Sequence, residues 1–428
     1  MLRLLITAAV LWSTMCAHAG ARAPAGRDPA DWVEKLAATA KVQTAFQAIE
    51  AGAGRDIQAM IALNEIPAPT FAEGPRAARF AQMLREAGLQ DVMTDEAGNV
   101  IARRPGMGGG PTVAFIAHLD TVFPAGTDVT VRVEGDTYRA PGVGDNARGL
   151  AYLLALARAL DAGGLRTRGD ILFVGSVAEE GLGDLRGVRH LFRAGGPKID
   201  IALAVDSAEQ DRLVNVAVGS IRYRLTISGP GGHSYTAFGR ANPHHALAAV
   251  IARFDAAAGA IAASPGAKAT YNIGRIGGGT SINSIPSEAW AEVDMRSSDP
   301  DRLQALDAAF LASVEAGVAE ENAGRASGEA LAAAPERVGL RPAGSMAEDA
   351  LLARVGVAAF RKVGIEPQFS ASSTDANIPL SLGIPALTIS RGGVGGNAHA
   401  PDEWWRAENP HLAVQAGLLI ALAMAGAR

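Results

Sequence analysis

The pattern of apolar and polar positions changes character along the chain, and the changes divide it. From about Trp32 to Leu89 apolar residues recur at spacings of three and four, which predicts helix, with Gly88 closing a stretch. Short continuous apolar runs follow: Val100-Ile-Ala-Arg, Thr112-Val-Ala-Phe-Ile-Ala, Asp170-Ile-Leu-Phe-Val-Gly-Ser-Val and Ile201-Ala-Leu-Ala-Val. Such runs mark strands covered on both faces. A strong helical pattern over Gly149–Leu160 lies between two of them. Strand, helix, strand in this rhythm predicts an α/β sheet with helices on both sides.

The texture shifts near Ala217. Ser220-Ile-Arg-Tyr-Arg-Leu-Thr-Ile-Ser alternates with period two, so one face of this strand is expected to be wet. Asn242-Pro243 opens a helix, with Asn as cap and Pro at the first helical position. Strand patterns over Ala269–Ile276 and Glu288–Arg296, a helix from about Pro300 to Glu321 and a strand near Arg337–Arg341 complete a split βαβ arrangement. After Pro342 the first texture returns, with a helix over Asp349–Val363, a buried strand over Ile384–Ser390 and an apolar C-terminal helix. The expected organisation is a discontinuous main domain, residues 20–216 and 342–428, interrupted by an inserted α+β domain at 217–341.

Residues 1–19 stand apart. One Arg, an apolar run from Leu4 to about Cys16, and Ala17-His18-Ala19 before Gly20 have the layout of a secretory signal peptide. The run is shorter than the ~20 residues a membrane-spanning helix needs, and no later segment reads as a span. A periplasmic or secreted protein is expected.

Composition narrows the chemistry. The 428 residues, 48% hydrophobic and 19% charged, suit a globular chain of more than one domain. A net charge of −5 gives no basic footprint for nucleic acid. One cysteine excludes a disulfide framework, a thiolate zinc finger and an iron–sulfur cluster. Any metal must be held by nitrogen and oxygen, from eight histidines and the acids.

The acids and histidines that matter fall at the C-terminal ends of predicted buried strands, where open α/β sheets place their sites. His118 and Asp120 follow one strand, Glu179 and Glu180 the next, and Asp206 another; Asp145 opens a helix, and His399 follows the Ile384 strand. Taken singly, each has a plainer role: His118 as a core histidine, Glu179-Glu180 as a solvated pair, Asp145 as a helix cap. Taken together they make a two-metal site of imidazoles and carboxylates, suited to zinc with cobalt or manganese as substitutes. Asp145 could bridge, with His118 and Asp206 on one metal and Glu180 and His399 on the other; a one-metal site stays open if it does not. Glu179, beside a ligand yet pointing elsewhere, is the natural general base, and Asp120 would orient the His118 ring as acceptor.

His-Leu-Asp-Thr-Val at 118–122, Gly-Val-Gly-Asp-Asn-x-x-Gly at 142–149, Ala-Glu-Glu-Gly at 178–181, Val-Asp-Ser at 205–207 and Ala-His-Ala-Pro-x-Glu at 398–403 resemble the dinuclear-zinc exopeptidases and deacylases. That family includes peptidase T, carboxypeptidase G, acetylornithine deacetylase and succinyl-diaminopimelate desuccinylase. The resemblance spans nearly the whole chain after residue 19. It implies a phosphorylase/hydrolase-like mixed-sheet catalytic domain, an inserted ferredoxin-like lid, and the ligand set His118, Asp145, Glu180, Asp206 and His399, with Glu179 as base and Asp120 in support. Ala147 stands where the family often has Lys. In the inserted domain, Ser228-Gly-Pro-Gly-Gly-His233-Ser resembles the loop whose His helps hold the carbonyl oxyanion, often across a dimer interface. Asn283 and Arg296 match positions that bind substrate polar groups or a carboxylate, for which the planar guanidinium fork is suited.

These readings imply an exported hydrolase of amide bonds in short peptides or N-acyl amino acids, dimeric through the inserted domain and without nucleic-acid or membrane partners. The Arg341-Pro-Ala-Gly stretch and the Ser-Thr-Asp375-Ala-Asn tract lean toward a peptidase T-like exopeptidase. A deacylase is the alternative within the class, and a non-catalytic peptide-binding protein the alternative outside it.

Overall fold

A computed structural model describes residues 28–427. The predicted signal peptide at 1–19 lies outside the described residues.

Nine strands among the described residues form one mixed sheet. Its centre is parallel: Val113–His118 lies between Ile171–Ser176 and Ile201–Ser207, and Ala386–Ser390 follows on the far side of the last. The edges turn antiparallel, through Val100–Arg104 and Asp91–Thr94 at one end and Arg212–Ala217 at the other. The continuous apolar runs have a direct cause. Phe115, Ala117, Phe173 and Leu203 pack into the larger core, while Ala114, Ile116, Leu172, Val174 and Ala202 pack into a second one on the opposite face. A strand whose alternate residues enter two different cores has no polar positions to spare.

The Trp32–Leu89 pattern resolves into three helices, Pro29–Ala37, Ala40–Asn64 and Gly74–Glu86. With Gly149–Ala162 and Pro410–Ala425 they supply the larger core, and Arg186–Leu191 and Asn377–Ser381 line the smaller one.

A separate four-stranded antiparallel sheet is ordered Ala269–Gly278, Glu288–Ser297, Gly219–Ser228, Ala332–Arg341. Its alternation matches the period-two reading. Ile221, Tyr223, Leu225 and Ile227 pack with Phe254 and Phe310 from the helices Pro243–Ala263 and Pro300–Gly324, and the intervening Arg222 and Arg224 pair with Asp294 and Glu292 on the other face. The Asn242 side chain caps its helix, accepting the His244 N–H at 2.9 Å.

One expectation needs correction. Pro243–Ala263 is long and apolar enough to cross a membrane by length and composition. Its ten alanines raise the mean hydropathy without making it broadly apolar, and His244, His245, Arg253 and Asp255 interrupt it. In the fold it lies on the inserted sheet, with Leu247, Val250 and Phe254 buried.

A short antiparallel sheet of Val394–Gly396, Trp404–Arg406, Thr137–Arg139 and Arg132–Glu134 was not visible in the hydrophobic pattern. It fastens the loop carrying His399 beside the loop carrying Asp145. Trp405 anchors it, buried and donating its indole N–H to the Gly392 carbonyl at 2.8 Å.

Candidate active site

His118 ends its buried strand, and the loops after the neighbouring strands gather around it. Its Nε2 stands 3.0 Å from Asp145 Oδ1 and 3.6 Å from Asp206 Oδ1. The other Asp145 oxygen, Oδ2, is 3.3 Å from His399 Nε2, which in turn lies 2.9 Å from Glu180 Oε1. Each oxygen of one carboxylate therefore faces a different histidine, the disposition a bridging ligand needs. Five side chains from five separate segments converge, and one ligand atom each from His118, Asp145 and Glu180 all lie within 4.8 Å of one another.

The loops that present these groups are held tightly. Gly142 adopts φ of 81°, and a Cβ there would stand 2.7 Å from the Thr121 methyl, so the turn before Asp145 requires glycine. Asn146 ties that turn to the next strand, donating to the Val205 carbonyl at 2.9 Å and to Asp206 Oδ1 at 3.1 Å. Ala178 and His399 are both left-handed, at φ of 52° and 68°, a conformation non-glycine residues hold only where the surroundings impose it. Ala147, where a lysine is common among the proteins the chain resembles, is fully buried.

Asp120 differs from expectation in detail. The acceptor for His118 Nδ1 is the Asp120 backbone carbonyl, at 3.0 Å, while the carboxylate is 3.7 Å away. The carboxylate is already occupied: it accepts the N–H groups of Glu179 and Glu180 at 3.0 and 2.9 Å and the Thr70 hydroxyl at 3.0 Å. Asp120 thus shapes the loop that carries Glu179 and Glu180, and reaches the imidazole through its main chain.

The electrostatics fit a cation site. Burial opposes a charged His118, yet the Asp145 and Asp206 carboxylates hold its pKa well above the ordinary histidine value. Asp145 and Glu180 likewise push His399 up to about 10. Three carboxylates packed this closely call for positive charge among them. Two imidazoles and three carboxylates without a thiolate suit zinc or a similar first-row divalent ion. Arg391, 3% exposed, stands behind them, 3.3 Å from Asp145 Oδ1 and 3.5 Å from Asp206 Oδ1. In the sequence it reads as a loop arginine between Ser390 and two glycines, and no pattern distinguishes it.

Glu179 lies in the same cleft, which has a volume of about 400 Å³ and is also lined by Asp145, Glu180, Asp206, Arg296 and His399. Burial raises the Glu179 pKa well above the usual carboxylate range, and the Arg341 guanidinium opposes the rise. Of the residues expected to bind substrate, only Arg296 lines this cleft. His233 and Asn283 sit together elsewhere, where Gly232–His233 pairs with Ser284–Ile285 and the Ser234 N–H donates to the Asn283 carbonyl.

Residues 114–424 match the model of peptidase family M20/M25/M40. The chain belongs to that family. The M20/M25/M40 assignment makes it a metallopeptidase-class hydrolase, and the converging His, Asp and Glu cluster is compatible with the dinuclear centre of that class. The YqjE protein of Bacillus subtilis (strain 168) is 26% identical over 316 residues, covering 72% of this chain and 80% of its own. In fold, this M20 member is similar to the aminopeptidase PepT from Bacillus cereus ATCC 10987 (TM-score 0.69, 22% identity, 87% of this chain and 98% of that one). It is also similar to the Bacillus subtilis YXEP protein, described as a dinuclear metal-binding peptidase (TM-score 0.64, 20% identity, 87% and 98%).

Proposed function

We propose that this hydrolase cleaves an amide bond of short peptides or N-acyl amino acids, as a peptidase T-like exopeptidase. The observation that carries the reading is the position of Asp145, one oxygen toward His118 and one toward His399, in the cleft that also holds Glu179. His118, Asp145, Asp206, Glu180 and His399 are the residues to hold two divalent cations, with zinc the first choice and cobalt or manganese able to replace it. Those cations would supply Lewis acidity to a water and to the scissile carbonyl. Glu179 then takes the proton from the attacking water and passes it to the leaving amine. Arg296, on the cleft wall, offers its guanidinium to a free carboxylate of the substrate.

An N-acyl amino acid also carries a free carboxylate beside an amide, so Arg296 serves a deacylase equally well. The discriminating experiment is a panel of free, N-blocked and C-blocked di- and tripeptides and N-acyl amino acids, each with added zinc, cobalt or manganese. Loss of turnover on blocking the amine identifies an aminopeptidase; turnover confined to acylated substrates identifies a deacylase.

Two further readings belong to the proposal. The protein forms a homodimer through the inserted domain, in which His233 would reach the partner's cleft. Tyr235, Phe238 and Ile282, 85%, 86% and 104% exposed, supply apolar contact surface next to His233 and Asn283. A solution mass of one subunit under active conditions would contradict this. The protein is also exported with cleavage after Ala19; N-terminal sequencing of material from the periplasm or medium should then begin at Gly20.

A further inference from the structure

The inserted sheet meets the main domain at one root. The Asn377 side-chain amide donates to the Val218 carbonyl at 2.9 Å and to the Pro342 carbonyl at 3.0 Å, so a single residue clamps both chain crossings. Gly219 lets those crossings touch, because a Cβ there would lie 2.6 Å from the Ala343 nitrogen and 2.9 Å from the Arg341 carbonyl. Arg341 is the last residue of the strand Ala332–Arg341, paired with Ser220 at the start of the neighbouring strand. It is therefore fixed on its backbone side by the junction between the two units.

From that root its side chain runs under the loop carrying Glu179. Arg341 Nη1 donates to Glu179 Oε1 at 2.9 Å and to the Ser373 hydroxyl at 3.2 Å, and Nη2 donates to the Glu179 carbonyl. Both side chains are almost completely buried, with 7% and 5% exposure. Among the described residues no hydrogen bond holds the other carboxylate oxygen, Oε2. One oxygen of Glu179 is pinned, its own main chain is pinned by the same guanidinium, and the second oxygen is left for the cleft.

We propose that Arg341 is the positioning residue for Glu179, fixing both its rotamer and its loop, and that the root of the inserted unit is thereby coupled to the base. The proposal rests on the reading of Glu179 as general base. Lysine could satisfy the charge but not the simultaneous contact with carboxylate, carbonyl and Ser373, because the fork geometry belongs to guanidinium. A displacement of a reacting group by about 1 Å costs on the order of 10²-fold in rate. Arg341→Met should accordingly lower kcat by about that factor while KM and metal content stay near those of the wild type. Arg341→Lys should recover only part of the loss.

Removing a buried guanidinium also strands a buried carboxylate, so the decisive comparison is a double-mutant cycle read on folded, metal-loaded protein. In the Glu179→Gln background, Arg341→Met should cost little further activity, since there is no base left to position. Additive losses would overturn the proposal, as would an Arg341→Met enzyme with wild-type kcat, or one whose defect is confined to KM. Soluble guanidinium below denaturing concentration should restore part of the kcat of Arg341→Ala, and absence of rescue there would count against the proposal. Full activity of Glu179→Gln alone would instead refute the assignment of the base.

Discussion

Glu403 and Asp145 are 258 residues apart in sequence, and the Glu403 carboxylate accepts the Asp145 backbone N–H at 2.8 Å. The same carboxylate accepts the N–H groups of Gly142 and Gly144 at 2.8 and 2.9 Å. One buried acid from the late segment thus organises the whole turn that presents the bridging candidate. Burial raises the Glu403 pKa to about 7, with the nearby Asp145 charge adding to the effect. Glu403→Ala should loosen that turn and weaken metal affinity by about 10- to 100-fold, as loss of an outer hydrogen-bond partner does elsewhere. Chelator competition measures it, and unchanged affinity would remove Glu403 from the site's support.

The two aspartates facing His118 should behave differently. Asp145 faces both histidines, whereas Asp206 faces only His118. Asp145→Asn is expected to lose both metals from a total of about two, and Asp206→Asn only one. Metal analysis after dialysis reads this directly. Equal loss in the two variants would contradict a bridging Asp145.

Arg296 lies on the cleft wall with its Nε donating to Asp294 Oδ2 at 2.7 Å, which leaves the guanidinium terminus for a ligand. A hydrogen bond to a charged partner contributes about 1.5–3 kcal/mol. Arg296→Met should raise KM by about 10- to 100-fold for substrates with a free carboxylate and change it little for C-amidated ones. Steady-state kinetics on the matched pair decides it.

Asp294 also accepts from Arg222, at 2.9 Å. Partial burial works against its charge, but the two guanidiniums prevail and hold its pKa below the ordinary value. A carboxyl with a depressed folded-state pKa stabilises the fold above its unfolded value of about 3.9, and the contribution disappears as pH falls through the folded value. The stability gap between wild type and Asp294→Asn should therefore be present at neutral pH and shrink in acid. Denaturant titrations on either side of about pH 4 test the sign.

The central sheet was legible because its strands carry a strong local signature. Val113–His118, Ile171–Ser176 and Ile201–Ser207 are apolar up to their C-terminal ends since two cores claim their alternate residues. The convergence of His118, Glu180 and Asp206 was readable from their placement at or just after strand ends, and that of Asp145 and His399 from the helix start and loop that follow neighbouring strands. What escaped was set by distant partners. The strands Thr137–Arg139 and Trp404–Arg406 are three residues each, and their mutual pairing joins segments more than half the chain apart. Asp120 could be assigned to His118 by spacing, but spacing does not distinguish its carbonyl from its carboxylate. Arg341 offered a partial signal, as a cation ending a strand. That strand begins at Ala332, earlier than the pattern placed it, and Pro335 is tolerated because the strand is at the sheet's edge.

The most direct test of the whole account is the hydrolysis of short peptides and N-acyl amino acids by the metal-loaded protein beside its Glu179→Gln variant. The account predicts measurable turnover for the wild type, a loss of about 10²- to 10⁴-fold in the variant, and the same metal content in both. Comparable turnover by the two metal-loaded proteins would contradict it.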